Sequence, residues 1–205
     1  MMIVVYGGNA SGKSVLAEGL AEKLFLWQNK EDEKSGGKVY LATMRNDGSP
    51  EAEERIAKHR KLREGKGFVT VECPVDLMGN CRLQKDASVV LLEDAGNLVA
   101  NVIFGNESGQ KNVGRTAVSE KEMNRVVEEI CSEMDWLTAQ TKHTIVVTNN
   151  IFDGGIEIDR EMQRYSDALG AVNQWLAKQC DVFVESVCGL ANVLKGQSLF
   201  EEISR

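Results

Sequence analysis

Apolar and polar positions along this chain follow two alternating rhythms. Short, nearly continuous apolar runs lie at Ile3–Tyr6, Lys38–Ala42, Phe68–Glu72, Ser88–Glu93, Thr144–Thr148 and Asp181–Val187. Runs of this length predict strands, and Ser88–Glu93, continuously apolar like the buried strand at Thr144–Thr148, is of the type expected in a sheet covered on both faces. Between them the apolar residues recur at helical spacing, over Ser14–Leu26, Glu51–Arg63, Ser119–Thr141 and Asp159–Gln179. In the third of these, Ser119 and Glu122 form a capping box, and Met123, Val126, Val127, Ile130, Met134 and Leu137 mark one face. In the second, Ser49 can cap, Pro50 suits the first position, and Glu51, Glu53 and Glu54 favour the positive end of the helix. Alternating strands and helices predict an α/β fold, with a mostly parallel sheet and helices on both faces. Two polar stretches interrupt the pattern. Asn29–Lys38 reads as a solvated insert, and Gly105–Val118 as a lid or a disordered loop, between which the sequence alone favours neither.

The join between the first strand and the first helix carries chemistry. Residues Gly7, Gly8, Asn9, Ala10, Ser11, Gly12, Lys13 and Ser14 satisfy G-x-x-x-x-G-K-[ST] at every fixed position. The glycines let backbone N–H groups turn toward a phosphate, and the helix start adds its positive dipole end. Lys13 is expected to reach the β- and γ-phosphates, and the Ser14 hydroxyl to ligate Mg²⁺. The flanking strand and helix are those of a P-loop NTPase-like domain. A second metal-side group is expected at the end of a buried strand, where "VVLLED" supplies Glu93 and Asp94; Glu93 is the better placed. Against this stands the fact that strand ends often carry exposed acids.

"ERIAKHRKLR", Glu54–Arg63, is a basic island in which Arg55, His59 and Arg63 recur at four-residue steps and share one helix face. A basic stripe with a neutral imidazole can bind a triphosphate and supply a base or nucleophile. On the residues alone, a solvated helix with an ordinary surface histidine is the better account. The other histidine, His143, reads as a surface or edge residue just before a strand.

Composition narrows the picture. The chain has 205 residues, 42% hydrophobic and 27% charged, which suits one domain over 1–205 with a single well-covered core. A formal net charge of −7 argues against a nucleic-acid partner, although it leaves nucleotide binding open. The five cysteines, Cys73, Cys81, Cys131, Cys180 and Cys188, lack C-x-x-C spacing and read as reduced, buried thiols of a cytoplasmic protein. "MMIVVY" is too short for a signal-peptide core, and no apolar run approaches membrane-spanning length.

These residues together resemble the bifunctional adenosylcobinamide kinase / adenosylcobinamide-phosphate guanylyltransferase family of cobalamin (vitamin B12) biosynthesis. The resemblance begins with "GGNASGKS" and "YLAT", Tyr40–Thr43. It continues through Arg55-Ile56-x-x-His59-x-x-x-Arg63 and "TVECP", Thr70–Pro74, then "VLLE" and Asn101. It ends with "VVTN", closing on Asn149, and Asp167, Gly170, Val172, Asn173 and Gln174. The phosphate loop is generic; the Arg-Ile-x-x-His element and the late Asp…Gly-x-Val-Asn-Gln are much more specific. The resemblance implies that a corrinoid is phosphorylated and then receives GMP from GTP through a guanylyl-histidine on His59. Arg55 and Arg63 would stabilise charge, and Lys13, Ser14 and Glu93 would hold the nucleotide and Mg²⁺. It also implies GTP and/or ATP as substrates, a small-molecule corrinoid partner, no membrane insertion, and a homo-oligomer with a trimer as one form.

The chain departs from the family pattern in two places. Asn149-Asn150-Ile151-Phe152 stands where the family usually has Asn-Glu-Val-Gly, and Asp94-Ala95-Gly96-Asn97 follows Glu93 where Cys-Leu-Thr is usual. The alternative is therefore a divergent P-loop GTP-binding protein or GTPase with one or both activities lost. "EDAG", Glu93–Gly96, and "NIFD", Asn150–Asp153, resemble GTPase switch and guanine-reading elements in order, with Glu for Asp in one and Ile151 for Lys in the other. A plain small-molecule kinase would need no His59.

Overall fold

The computed structural model of the protein describes residues 1–31, 36–46, 48–84, 87–105, 120–152 and 159–204. Strand β1 (Met2–Gly7) feeds helix α1 (Lys13–Glu31), followed by β2 (Lys38–Ala42), α2 (Pro50–Arg63) and β3 (Phe68–Glu72). A single turn, α3 (Leu77–Asn80), precedes β4 (Val89–Glu93) and α4 (Ala95–Phe104). Then come α5 (Glu120–Ala139), β5 (His143–Asn149), α6 (Arg160–Gln179), β6 (Val182–Val187), β7 (Leu190–Lys195) and α7 (Gln197–Ser204).

The strands form one seven-stranded sheet in the order β3-β2-β4-β5-β1-β6-β7. Every neighbouring pair is parallel except β6 with β7. The apolar runs of β1, β2, β4, β5 and β6 are buried on both faces, as their lack of alternation requires, whereas β3, at the edge of the sheet, is largely exposed. Met2 and Val4 point into a core built with α3–α6, while Ile3 and Val5 point into a second core with α1 and α7. The α/β fold with a mostly parallel, doubly covered sheet is thus the one the pattern predicts. In such sheets the crevice above the carboxyl ends of the strands is where ligands bind.

Four elements lie outside the sequence expectation. β6 is not the last strand, because Cys188 (φ 51) and Gly189 (φ 80) turn the chain into β7. Two consecutive positive φ values make the tight turn whose twist suits a hairpin. α4 is hidden in the sequence because its apolar residues continue the run of β4; Asp94 supplies the break, its carboxylate accepting the Asn97 N–H as the helix N-cap. α3 and α7 are too short for periodicity to show. The polar insert expected from Asn29 begins instead as the end of α1, and its residues 32–35 lie outside the described residues. So do Ser119 of the capping box and the 105–118 loop beyond Gly105.

Two side chains correct their expected exposure. His143 is buried in the central strand β5, its Nε2 3.0 Å from Gln28 Oε1 and its ring beside Trp27. Burial, helped by Lys142 and the N-terminal ammonium, lowers its pKa to about 4, so it sits neutral in the core. Among the cysteines, Cys73, Cys81, Cys131 and Cys180 are buried thiols, but Cys188 at the β6–β7 turn is exposed. No helix among the described residues is long and apolar enough to cross a membrane.

Candidate active site

The phosphate loop leaves β1 at the carboxyl edge of the sheet and curls back before α1. Ala10 (φ 56) and Gly12 (φ 96) supply the left-handed turns. A side chain at Gly12 would also meet the Gly189 Cα at 3.0 Å, so the loop is held close against the β6–β7 turn. That turn buttresses it with two bonds to the Ser11 carbonyl, from Gly189 N–H (2.8 Å) and Ser186 Oγ (2.9 Å). On the other flank, the Asn150 N–H donates to the Gly7 carbonyl at 2.8 Å. The position where the family usually has Glu is therefore joined to the loop through backbone. Asn9 and Ala10 are exposed at the loop's tip, and Gly8 is half-buried.

Lys13 is largely buried and its Nζ donates to the Gly8 carbonyl at 2.8 Å, so the ammonium lies across the loop that it closes. Burial lowers its pKa, opposed by the nearby carboxyls of Asp94 and Glu93. The Ser14 hydroxyl meets Glu93 Oε1 at 2.5 Å. Strand β5 lies between β1, from which the loop and α1 follow, and β4, which ends at Glu93, so the contact spans two strand spacings along the carboxyl edge. The second oxygen, Glu93 Oε2, is buried without a hydrogen-bond partner. Burial pushes the Glu93 pKa up to about 8, against the lowering effect of its bond to Ser14. A hydroxyl beside an orphaned buried carboxylate oxygen fits a hard cation such as Mg²⁺, which takes one or two protein oxygens and leaves the rest of its shell to phosphate and water. Among the described residues no cluster of three or more His, Cys, Asp or Glu side chains is placed to hold a metal ion.

Asp94 has a different task from its neighbour. It caps α4 and accepts a hydrogen bond from the Asn149 amide, and burial raises its pKa. Thr43 holds the Glu93–Asp94 segment, its Oγ1 lying 2.9 Å from the Glu93 carbonyl and 2.8 Å from that of Asp94. The Asn101 amide in turn donates to the carbonyls of Thr43 (2.7 Å) and Pro74 (2.9 Å), joining α4 to the ends of β2 and β3. Asn173 bonds Thr148 Oγ1 (2.6 Å) and the Asn149 carbonyl (3.3 Å), tying α6 to the end of β5. The motif residues Thr43, Pro74, Asn101, Asn149 and Asn173 are scattered in sequence and converge on this framework. Sequence reasoning noted them without assigning them work.

A cleft of about 1120 Å³ opens between α2 and the carboxyl ends of β2, β3 and β4. Arg55, His59 and Arg63 all line it, as do Glu93 and Asp94. The four-residue spacing thus turns one helix face toward a cavity, with graded exposure. Arg55 is exposed, His59 half-buried, and Arg63 buried with its guanidinium carbon 3.6 Å from the centre of the Tyr40 ring. The solvated-helix account therefore holds for Arg55 and fails for Arg63. His59 Nδ1 is buried without a partner, and burial together with the Arg63 and Arg55 charges lowers the imidazole pKa. The ring is consequently neutral near pH 7, the form that acts as a nucleophile. Glu93 links the two halves, because it borders the cleft and bonds Ser14 of the phosphate loop. Phe152, in the place of a usual glycine, rests its ring over Gly170, where an added Cβ would meet it at 3.5 Å, an ordinary contact. Sequence reasoning missed the β6–β7 turn behind the loop; Gly189 between two apolar runs was the available signal.

A G-x-x-x-x-G-K-S loop, a buried carboxyl bonded to its serine and a histidine-lined cleft lie together at the carboxyl edge of the sheet. Two comparisons with known proteins bear on the chain as a whole. Residues 3–194 match the family model described as cobinamide kinase / cobinamide phosphate guanyltransferase. The chain is also similar to the bifunctional adenosylcobalamin biosynthesis protein CobP of Pseudomonas aeruginosa, with 29% identity over 201 residues, covering 97% of this chain and 100% of that protein. Nothing in these matches favours a GTPase or a chain with its activities lost. With the match running from the first strand to the last, the chain belongs to the cobinamide kinase / cobinamide phosphate guanyltransferase family and is an enzyme of cobalamin biosynthesis with both transferase activities.

Proposed function

We propose that one phosphate loop serves both reactions and that His59 carries the second. In the kinase step the hydroxyl of adenosylcobinamide attacks the γ-phosphorus of ATP or GTP, its proton is released, and the nucleoside diphosphate leaves. Backbone N–H groups of Gly7–Ser14 and the Lys13 ammonium bind the phosphates and take up charge that develops on the leaving oxygens. In the guanylyl step a nitrogen lone pair of neutral His59 attacks the α-phosphorus of GTP. The bond to the β-phosphate oxygen breaks, pyrophosphate departs, and GMP remains on the imidazole through a P–N bond. A phosphate oxygen of adenosylcobinamide phosphate then attacks that phosphorus, the P–N bond breaks, and its electron pair returns to the ring. Arg55 and Arg63 face the same cleft and offset the charge on the α-phosphate. Ser14 and Glu93 would hold Mg²⁺, which when bound neutralises phosphate charge.

The observation that carries this proposal is the shared border of the two half-sites at Glu93. The test is intact-protein mass spectrometry after incubation with Mg²⁺ and GTP. Wild type is expected to gain an acid-labile, GMP-sized adduct and His59→Ala none. GTP binding with no adduct on wild type would overturn the His59 assignment. We further propose a cytoplasmic homo-oligomer, with a trimer as the expected form and one catalytic domain per chain; a monomer by light scattering at working concentration would exclude the oligomer.

A further inference from the structure

Helix α2 is exposed along most of its length, with Arg55, Ala57, Lys58, Arg60 and Lys61 all open to solvent. Among the described residues, its side-chain attachments to the rest of the fold lie at its C-terminal end. Arg60 pairs with Glu72 at 2.6 Å, but both side chains are about 60% exposed, so that pair holds little. Arg63 stacks on Tyr40. The chain then turns through Gly65 and Gly67, and the Lys66 N–H between them donates to the Arg63 carbonyl at 3.1 Å. From this turn the Lys66 ammonium reaches Glu18 Oε2 at 2.5 Å.

The Lys66–Glu18 pair differs in kind from Arg60–Glu72. The Glu18 side chain is 3% exposed and that of Lys66 33%. A carboxylate so far from water requires a fixed positive partner, and losing that partner leaves an uncompensated buried charge. A charge-assisted bond with one partner buried also restricts the geometry more than a solvated pair does. Glu18 lies one helical turn beyond Ser14 on α1. One rigid helix therefore carries the phosphate-binding Lys13 and Ser14 at its start and the anchor for α2 on its next turn.

We propose that the Glu18–Lys66 ion pair positions His59 for guanylyl transfer, by fixing the end of its helix to the helix that holds the triphosphate. Both are positioning residues that touch no substrate. The inference rests on His59 as the guanylylated residue. It goes beyond that assignment in predicting that the two activities separate. Transfer to His59 requires α2 at a set distance from the phosphate loop, whereas transfer of the γ-phosphate to an external alcohol does not.

The test uses the full chain and Lys66→Met, with Lys66→Arg and Glu18→Gln beside it. Two rates are read: single-turnover formation of the GMP adduct at saturating GTP, and steady-state phosphorylation of cobinamide. Lys66→Met and Glu18→Gln are expected to slow adduct formation by about tenfold or more, as misplacement on the ångström scale does. For Lys66→Met, kinase turnover and GTP affinity are expected to stay within about twofold of wild type, and Lys66→Arg is expected to restore adduct formation. Adduct formation unaffected by Lys66→Met, or equal slowing of both activities, would overturn the proposal; the second result would make the pair a general stabiliser. A wild-type protein that forms no adduct would instead overturn the His59 assignment, and it shows before any variant is made.

Discussion

Ser14 and Glu93 stand 79 positions apart in sequence, yet the hydroxyl of one meets the carboxyl of the other at 2.5 Å. The contact joins the first turn of α1 to the end of β4 across the intervening strand β5. It brings the phosphate loop to the border of the His59 cleft, and most of what can be tested follows from its environment.

Glu93 has its pKa raised to about 8 by burial, so in the ligand-free protein it is mostly protonated near pH 7. If Glu93 holds Mg²⁺ as proposed, the cation must displace that proton. Mg²⁺–nucleotide affinity is therefore expected to rise with pH up to about 8 and then level, and Glu93→Gln to bind weakly with a flat profile. The same shift acts on folding. The folded state holds this proton more tightly than the unfolded chain, so its stabilising contribution is full below the ordinary carboxyl range and is lost as pH rises through about 8. Titration calorimetry in buffers of different ionisation enthalpy would detect the released proton; no proton release at pH 7 would contradict the assignment.

Arg63 joins packing to charge. Its guanidinium covers the Tyr40 ring and faces the cleft. Arg63→Ala is expected to cost about 1–3 kcal/mol through lost stacking and packing. It should also slow GMP-adduct formation by about 10²-fold. Urea unfolding and adduct kinetics measure the two effects separately. Arg63→Lys should recover less than half of either loss, because an ammonium lacks the planar face that stacks.

Asn101 donates two hydrogen bonds that hold the ends of β2, β3 and α4 together. Asn101→Ala leaves the carbonyls of Thr43 and Pro74 without those donors, at an expected cost of about 1–3 kcal/mol. Thr43 holds the Glu93–Asp94 carbonyls, so Mg²⁺–nucleotide affinity should fall as well. Unchanged affinity alongside reduced stability would show that the bolt does not reach the metal side.

His143 is buried neutral, with a pKa lowered to about 4. The unfolded chain takes up a proton near the ordinary histidine value and the folded state does not. Stability from this group is therefore present above about pH 6.5 and is lost as pH falls through about 4. Thermal melts from pH 7 to pH 4 should show a shallower decline in His143→Asn than in wild type. Parallel declines would mean that other groups dominate acid unfolding.

His59 behaves in the same direction at the site. Burial and two arginine charges lower its pKa, so adduct formation is expected to be flat above the ordinary imidazole value and to fall only below it. Quenched-flow mass spectrometry across pH 5–8 would measure the profile. A rate that declines already at pH 7 would show an imidazole proton that the cleft fails to remove.

Much of the fold was legible in the chain. The bounds of β2 and β3 coincide with their apolar runs, and the phosphate loop is legible because its chemistry lies in eight consecutive residues. What a local pattern reports is which way side chains face and where the backbone can turn. It could not show α4, since an apolar helix after an apolar strand has no change of rhythm, only the Asp94 cap. Nor could it show His143 buried: a polar residue at the start of a strand reads as an edge until its neighbours are known.

The sequence by itself determined the alternation of strands and helices, the phosphate loop, and a helix face bearing Arg55, His59 and Arg63. Only the tertiary structure decided that Arg63 stacks on Tyr40, that Lys66 reaches Glu18, and that the β6–β7 turn backs the phosphate loop. It also gave the contact of Glu93, the residue the sequence favoured, with Ser14, and the different task of Asp94 as the cap of α4. The reason is physical. Periodicity is set by each residue's own neighbours along the chain, whereas these contacts depend on strand order, and strand order is a property of how the crossovers pack around the whole sheet.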